Sequence, residues 1–134
     1  MIAPSILEET PEIRLQFDKR GGLLPVVVQE QSSGAILMQG YTNELAFQTT
    51  LEKRLATFWS TSRQALWTKG ETSGDYLKIK AILVDCDQDA LVYQVEVMGQ
   101  GACHTRNAQG HPRFSCFYRS VDLDQPTLTF KHEE

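Results

Sequence analysis

Two alternating segments meet at an acidic bend within Tyr76–Val97, which reads YLKIKAILVDCDQDALVYQVEV. In Tyr76–Val84 lysines alternate with apolar residues, and in Leu91–Val97 glutamine and glutamate alternate with them. Such alternation is typical of strands with one buried face, because successive side chains point to opposite faces. The stretch therefore predicts two paired strands that are joined by a bend at Asp85–Asp89.

The bend carries three aspartates, Asp85, Asp87 and Asp89, at alternate positions. At the end of a strand they would share one face, with Cys86 pointing the other way. Carboxylates this close repel one another, and a hard cation such as magnesium relieves the repulsion; the alternative is a solvated acidic turn. A calcium-binding EF-hand is excluded, since Ala90 stands where that loop needs glycine and a strand follows instead of a helix.

The only three cysteines of the chain are Cys86, Cys103 and Cys116. They cannot all pair with one another, so they are free thiols, small buried apolar residues or metal ligands. Three thiolates suit a soft metal such as zinc (Zn2+), and three protein ligands with one open position are typical of catalytic zinc. The open position takes a water whose pKa zinc lowers to about 7. His104, beside Cys103, would be a fourth ligand or a proton shuttle.

The remaining elements follow from local signals. An N-cap at Thr42 or Asn43 and helical spacing of apolar residues predict a main helix over Glu44–Lys53. The arm Met1–Arg20 contains a short helical pattern around Ile13, Leu15 and Phe17, and Val121–Glu134 is a charged tail without clear periodicity. Further strands are predicted at Leu23–Gln29 and Ala35–Met38, which form a hairpin, and at Ala56–Ser60 and Phe114–Tyr118.

A polar segment, Ser60–Gly74, combines hydroxyls and glycines with the cations Arg63 and Lys69. Backbone amides and cationic side chains together bind phosphate oxygens, so the segment is a candidate anion site. The alternative is an ordinary exposed loop. The order of residues is not that of a P-loop.

The bulk composition describes an ordinary soluble protein. With 134 residues, the chain fits one domain, 1–134, with a core over about 15–120 and a loose arm at each end. The formal net charge of −4 excludes a generally basic nucleic-acid binder. No apolar run reaches the ~20 residues of a membrane span, and no secretory signal begins the chain, so we expect a cytoplasmic protein.

Several motifs together resemble the phosphoribosyl-AMP cyclohydrolase family of histidine biosynthesis. The resemblance covers roughly residues 15–120, and the motifs follow one another in the family's order. They are Gly22–Gln29 (GLLPVVVQ), Phe58–Arg63 (FWSTSR), Leu66–Gly74 (LWTKGETSG), Asp85–Ala90 (DCDQDA), Gly101–Thr105 (GACHT) and Ser115–Arg119 (SCFYR).

This resemblance implies an α+β fold with a mostly antiparallel twisted sheet and one main covering helix, in a homodimer with metal sites at the subunit interface. Cys86, Cys103 and Cys116 would bind zinc at a site shared between two subunits. Asp85, Asp87 and Asp89 would bind magnesium (Mg2+), and His104 would be the general base or proton shuttle. The substrate-binding candidates are Arg63, Trp67, Lys69 and Ser73.

The implied reaction is hydrolytic opening of the adenine ring of 1-(5-phosphoribosyl)-AMP at the N1–C6 bond by a monofunctional enzyme. The phosphates of this small-molecule nucleotide would engage the segment Ser60–Gly74, and no membrane or nucleic-acid partner is expected. The loop Arg106–Phe114, which includes His111, is longer than is usual in the family. Two alternatives remain: a diverged member that acts on another purine-like nucleotide, and a non-catalytic binding module stabilised by zinc.

Overall fold

The computed structural model describes residues 3–131; residues 1–2 and 132–134 of the two predicted arms lie outside that range. No helix in the described range is long and apolar enough to cross a membrane. In chain order the elements are α1 (Pro4–Glu9), a 3₁₀ helix (Phe17–Arg20), β1 (Leu24–Glu30), β2 (Ile36–Thr42), α2 (Glu44–Lys53), β3 (Thr57–Ser60), β4 (Ala65–Thr68), β5 (Leu77–Val84), β6 (Leu91–Val97), β7 (Arg119–Val121) and β8 (Leu128–Phe130).

A four-stranded sheet in the order β2-β1-β6-β5 forms the centre of the fold. The pairs β1–β2 and β5–β6 are antiparallel, as the sequence predicts, but β1 and β6 pair in parallel. The prediction of a mostly antiparallel sheet is therefore confirmed, and the parallel pairing that joins the two hairpins is a feature that the sequence did not predict. The α+β class with one main helix is confirmed.

The parallel pairing places the buried side chains of β1 and β6 on the same face of the sheet. Val28 lies opposite Tyr93, and both side chains are fully buried on the same face. Alternation determines which face a strand buries but leaves its partner open, because either orientation buries the same side chains. The hydrophobic core then forms on this face, around Tyr93, Phe58 and Leu37.

The helix α2 has the bounds that the sequence predicts. The Asn43 side chain accepts a hydrogen bond of 2.8 Å from the Ala46 amide, and Arg54 ends the helix in the left-handed conformation. Phe47 and Thr50 face the core. The cap satisfies an amide that would otherwise lack a partner, and the helix covers the sheet beside β2 and β3.

A second, small hairpin, β3–β4, extends the core. Its rings Phe58 and Trp67 lie opposite each other with centroids 5.6 Å apart. The buried Thr57 hydroxyl lies 3.0 Å from that of Thr68. The sequence predicts β3 but indicates a polar loop at the residues of β4, because a four-residue strand is too short to show its period.

Three other predictions for the termini are wrong. The N-terminal arm is helical at Pro4–Glu9 and again at Phe17–Arg20, and Ile13 and Leu15 between them belong to no helix. The predicted strand Phe114–Tyr118 is irregular. Beyond it, β7 and β8 form an antiparallel hairpin where the sequence predicts a tail; all six of its residues are exposed, so no burial pattern marks it.

Candidate functional site

The three aspartates of the acidic bend come together in a turn. One carboxylate oxygen of each aspartate lies within 4.8 Å of one from each of the other two. Asp85 Oδ1 accepts hydrogen bonds from the Asp89 and Ala90 amides at 2.9 and 3.1 Å, and Gln88 has a φ of 56°. The prediction that a strand end aligns them is wrong, because the residues form a turn. The turn itself brings the three carboxylates together.

Two cations of the 3₁₀ helix face this turn. Lys19 Nζ lies 2.7 Å from Asp89 Oδ2 and 3.0 Å from Asp87 Oδ2, and Arg20 Nη2 lies 3.0 Å from Asp89 Oδ2. The Lys19 ammonium holds the pKa of nearly buried Asp89 well below its usual range. Burial raises the pKa of Asp85, so the charge of the cluster is shared unevenly.

Gln88 connects the N-terminal arm to the acidic turn through hydrogen bonds. Its side-chain oxygen accepts a bond of 2.7 Å from the Arg14 amide, and its carbonyl accepts one of 2.8 Å from the Gln16 amide. The Gln88 side chain is buried, and its amide group donates to the Glu12 carbonyl. These bonds bring the following 3₁₀ helix, with Lys19, to the aspartates.

Two of the three cysteines form a pair. The Cys116 thiol lies beside that of buried Cys103. Residue Cys116 is exposed overall. Partial desolvation of its thiol, together with the neighbouring Cys103 thiol, raises the pKa of Cys116 to about 11, and the charge of Lys69 acts in the opposite direction. Lys69 is therefore the predicted substrate-binding residue that the fold places beside the thiols.

Cys86 does not join this pair. It is exposed in the acidic turn, and in the part of the chain that the structure describes the aspartates alone form a group of three candidate ligands. The three cysteines that the sequence suggests as one zinc site are thus divided, within one copy of the chain, between the pair and the acidic turn.

Backbone hydrogen bonds hold the cysteine pair against the sheet. The Ala102 and Cys103 amides donate to the carbonyls of Phe114 and Arg113, at 2.9 and 3.2 Å. The Arg113 amide donates to the Thr105 carbonyl at 3.0 Å, so the chain doubles back between the two cysteines. We call this segment, residues 101–116, the cysteine hairpin. Its far end is bonded to edge strand β2, since the Cys116 amide donates to the Leu37 carbonyl at 2.7 Å.

The remaining candidates are spread around this centre. His104 is exposed directly after Cys103, while His111 is exposed at the tip of the cysteine hairpin. Trp67 is half-buried against Phe58. Arg63 lies in the exposed turn between β3 and β4, and exposed Ser73 accepts a bond of 3.1 Å from the Asp75 amide.

A cleft of about 1060 Å³ opens between the N-terminal arm and the start of α2. Cys86, Asp87 and Lys19 line it on the polar side, and Phe17 and Phe47 are among its apolar residues. Cys86 and Asp87 of the acidic turn therefore face a space large enough for a small-molecule ligand.

The residues that support these side chains were not predicted from the sequence. They are Lys19, Arg20, Gln88, Thr105 and Arg113. The adjacent cations before Gly21 were a signal for the first two, but nothing local connects Gln88 with the arm or Arg113 with Thr105.

A small α+β domain with clustered carboxylates at the edge of a cleft and a separate pair of thiols is typical of metal-dependent enzymes. Comparison with known proteins specifies the family. The family model described as phosphoribosyl-AMP cyclohydrolase matches residues 38–118. The chain belongs to this family, as its motifs predict, and the prediction of an enzyme of this family is confirmed.

Curated relatives support the assignment over most of the chain. A phosphoribosyl-AMP cyclohydrolase of Desulfatibacillum aliphaticivorans is 47% identical over 116 residues, which cover 87% of this chain and 88% of that protein. One of Streptococcus mutans is 46% identical, over 82% of this chain and 94% of that protein. A histidine biosynthesis bifunctional protein of Photobacterium profundum is 43% identical over 89% of this chain and 55% of its own length.

Proposed function

We propose that the chain is a zinc-dependent hydrolase that opens the adenine ring of 1-(5-phosphoribosyl)-AMP at the N1–C6 bond in histidine biosynthesis. It would act in the cytoplasm as a single domain with a core over about 15–120. The observation that carries the proposal is the pair of thiols, Cys103 and Cys116, beside Lys69 in a member of this family. The chemistry of the other candidate residues agrees with it.

The donors present fit zinc if two copies of the chain cooperate. Catalytic zinc takes three protein ligands, and soft thiolates are suitable ones. Cys103 and Cys116 supply two of them, whereas Cys86 stands apart and exposed in the acidic turn. We propose that Cys86 of a second copy supplies the third, which gives a homodimer with a zinc site at the subunit interface.

The surface around the cysteine pair supports a second copy. Large apolar side chains are exposed within residues 114–130 and on the neighbouring edge strand β2. Exposed apolar surface of this kind marks an interaction site. Ser115 Oγ donates to the Ile36 carbonyl at 2.6 Å, which places the two groups side by side. The exposed residues are Ile36, Tyr41, Phe114, Phe117, Val121, Leu123, Leu128 and Phe130.

The acidic turn fits a second, harder metal. Magnesium prefers carboxylate oxygens, and one oxygen from each of Asp85, Asp87 and Asp89 lies within 4.8 Å of the others. The Lys19 ammonium forms ion pairs with two of these carboxylates, those of Asp87 and Asp89, and a bound magnesium ion would displace it. The magnesium would reduce the negative charge that a substrate phosphate meets near this turn.

The proposed reaction adds the elements of one water across the N1–C6 bond. Zinc held by Cys103, Cys116 and the second copy's cysteine would lower the pKa of a bound water to near neutral. Oxygen bonds to C6, which becomes a carboxamide carbon, and N1 leaves with a proton. His104 follows Cys103 and is exposed, so it is free to take the proton from the water and to deliver it to N1.

Substrate positioning would fall to the residues between β3 and β5. Lys69 lies near the thiols, where its charge would hold a phosphate beside the reacting ring. Arg63 and Ser73 are exposed on loops that would close on the second phosphate. Trp67 presents a half-buried ring for contact with a base or ribose.

The proposal is tested by the turnover of 1-(5-phosphoribosyl)-AMP. The purified chain is treated with a chelator, dialysed, and assayed after addition of zinc, magnesium or both. Ring opening that returns with zinc and increases with magnesium is expected, and Cys103→Ser should abolish it. A folded chain that turns over the substrate fully without zinc would contradict the zinc assignment, and a zinc-loaded dimer without turnover would contradict the substrate assignment.

A further inference from the structure

The cysteine hairpin contains a chain of three polar groups that ends on a candidate zinc ligand. Arg113 Nη1 lies 3.3 Å from Thr105 Oγ1, and Thr105 Oγ1 lies 2.9 Å from Cys103 Sγ. The backbone makes this alignment possible, because the Arg113 amide donates to the Thr105 carbonyl. The two residues thus lie opposite each other across the hairpin.

The chemistry of the three groups fixes the direction of the hydrogen bonds once Cys103 is a thiolate. A guanidinium carries donors only, so the Thr105 oxygen accepts from Arg113. A neutral Cys103 thiol could donate to the Thr105 hydroxyl or accept from it, whereas a thiolate has no proton, so the hydroxyl must then donate to the Cys103 sulfur. A sulfur that accepts a hydrogen bond is stabilised as a thiolate, which is the form that binds a metal.

Arg113 is itself held in place by aromatic rings. Its guanidinium carbon lies 4.0 Å from the centroid of the Tyr118 ring and 5.6 Å from that of Phe130 on β8. Stacking of a planar guanidinium on aromatic faces restricts its orientation. The hairpin β7–β8, which is not part of the central sheet, thereby helps to hold Arg113 in place.

We propose that Arg113 is a positioning residue, which acts through the Thr105 hydroxyl to orient a hydrogen bond onto the Cys103 sulfur and so strengthens this sulfur as a metal ligand. The inference rests on the proposed zinc site. It assigns a task to the long loop between the second and third cysteines, because Arg113 lies in that loop. Groups that hydrogen-bond to metal ligands typically change metal affinity by 10- to 100-fold when they are removed.

The test uses the full chain and two metals, zinc and cobalt. Zinc affinity is measured at one pH by competition with a coloured chelator, and the sulfur-to-cobalt charge-transfer band is recorded on the cobalt-loaded protein. Thr105→Val removes the hydroxyl at similar volume and should weaken zinc binding about tenfold or more. It should also move the cobalt band to longer wavelength, since the sulfur lone pair loses a hydrogen bond. Thr105→Ser keeps the hydroxyl and should resemble the original chain.

Arg113→Met should reproduce both effects in part, and the double variant should match Thr105→Val alone, because Arg113 acts through Thr105. Arg106→Met is the matched control. Arg106 is an exposed cation of the same hairpin, and it donates to the Gly110 carbonyl at 2.8 Å. This control should leave zinc affinity and the cobalt band unchanged.

Three outcomes would count against the inference. A Thr105→Val chain with unaltered zinc affinity and cobalt spectrum would overturn it and leave the proposed function intact. Effects of Thr105→Val and Arg113→Met that simply add would show that Arg113 acts by another route. An original chain in which zinc binding does not depend on Cys103 would overturn the proposed function and this inference together.

Discussion

Lys19 Nζ lies 2.7 Å from the Asp89 carboxylate and is the closest cation to the acidic turn within residues 3–131. The ammonium therefore neutralises part of the charge that a magnesium ion would neutralise. The two cations cannot occupy the same space, so the binding of a metal at this turn requires the displacement of Lys19.

Replacement of Lys19 by methionine should tighten magnesium binding. The variant keeps the length of the side chain and removes its charge, so the ion no longer competes with an ammonium. We expect about a fivefold lower dissociation constant, as measured by calorimetry, since the side chain is half-exposed and its ion pairs are screened by water. Lys53→Met, at the exposed end of α2, is the control and should have no effect. Weaker binding in Lys19→Met would show that Lys19 supports the ion.

Thr50 should contribute to stability through its hydroxyl. This buried hydroxyl bonds to the Ala46 carbonyl at 2.9 Å and accepts from the Thr57 amide at 3.1 Å, which ties α2 to β3. Thr50→Val would leave the Thr57 amide without that acceptor, and we expect a loss of about 1–3 kcal/mol in the free energy of unfolding. Urea denaturation measures it.

Thr49→Val provides the matched comparison on the same helix. The half-buried Thr49 hydroxyl bonds to the carbonyl of Leu45, one helical turn earlier. Valine at this position should change the unfolding midpoint very little. Equal midpoints for the two valine variants would contradict the assigned role of Thr50.

Gly101 should be required for the geometry of the cysteine pair. A Cβ at this residue would lie 2.6 Å from the Arg113 carbonyl oxygen and 2.8 Å from Phe114 Cα, so the two sides of the cysteine hairpin would have to separate. We expect Gly101→Ala to weaken zinc binding by about tenfold or more, because altered ligand geometry lowers metal affinity. Chelator competition measures it.

The control for this prediction is the neighbouring residue. The Gln100 side chain is exposed, so Gln100→Ala should preserve zinc affinity. A Gly101→Ala chain that binds zinc as tightly as the original would show that the hairpin accommodates the methyl group.

Local signals were sufficient for the elements that carry strong patterns. The cap at Asn43 and the acidic Glu44 located the start of α2, and alternation gave Leu91–Val97 its observed bounds. Alternation left the direction of pairing open, so the parallel contact of β1 with β6 was missed. The hairpin β7–β8 is short and wholly exposed, and it therefore has no hydrophobic pattern to detect.

The sequence predicted the residue types of the candidate site better than it predicted their arrangement. The aspartates do converge, but a turn with Gln88 in the left-handed region brings them together instead of one face of a strand. The link from Arg113 to Cys103 depends on the register of a hairpin that the sequence did not predict. Long-range contacts such as that of Gln88 with the Arg14 amide, 74 positions away, cannot be predicted from local sequence patterns.

Mixed dimers test most directly the claim that two copies share each zinc site. A Cys86→Ser chain and a Cys103→Ser chain, carrying different affinity tags, are refolded together and purified through both tags. In a shared arrangement, one of the two sites of the mixed dimer receives Cys86 from one subunit and the intact thiol pair from the other, because the two sites are related by two-fold symmetry.

The account predicts that each variant alone is inactive and free of zinc. The mixed dimer should bind a single zinc and recover about half of the original turnover. A verified mixed dimer that holds no zinc and shows no turnover would mean that each site is built within one chain, and it would contradict the shared zinc site.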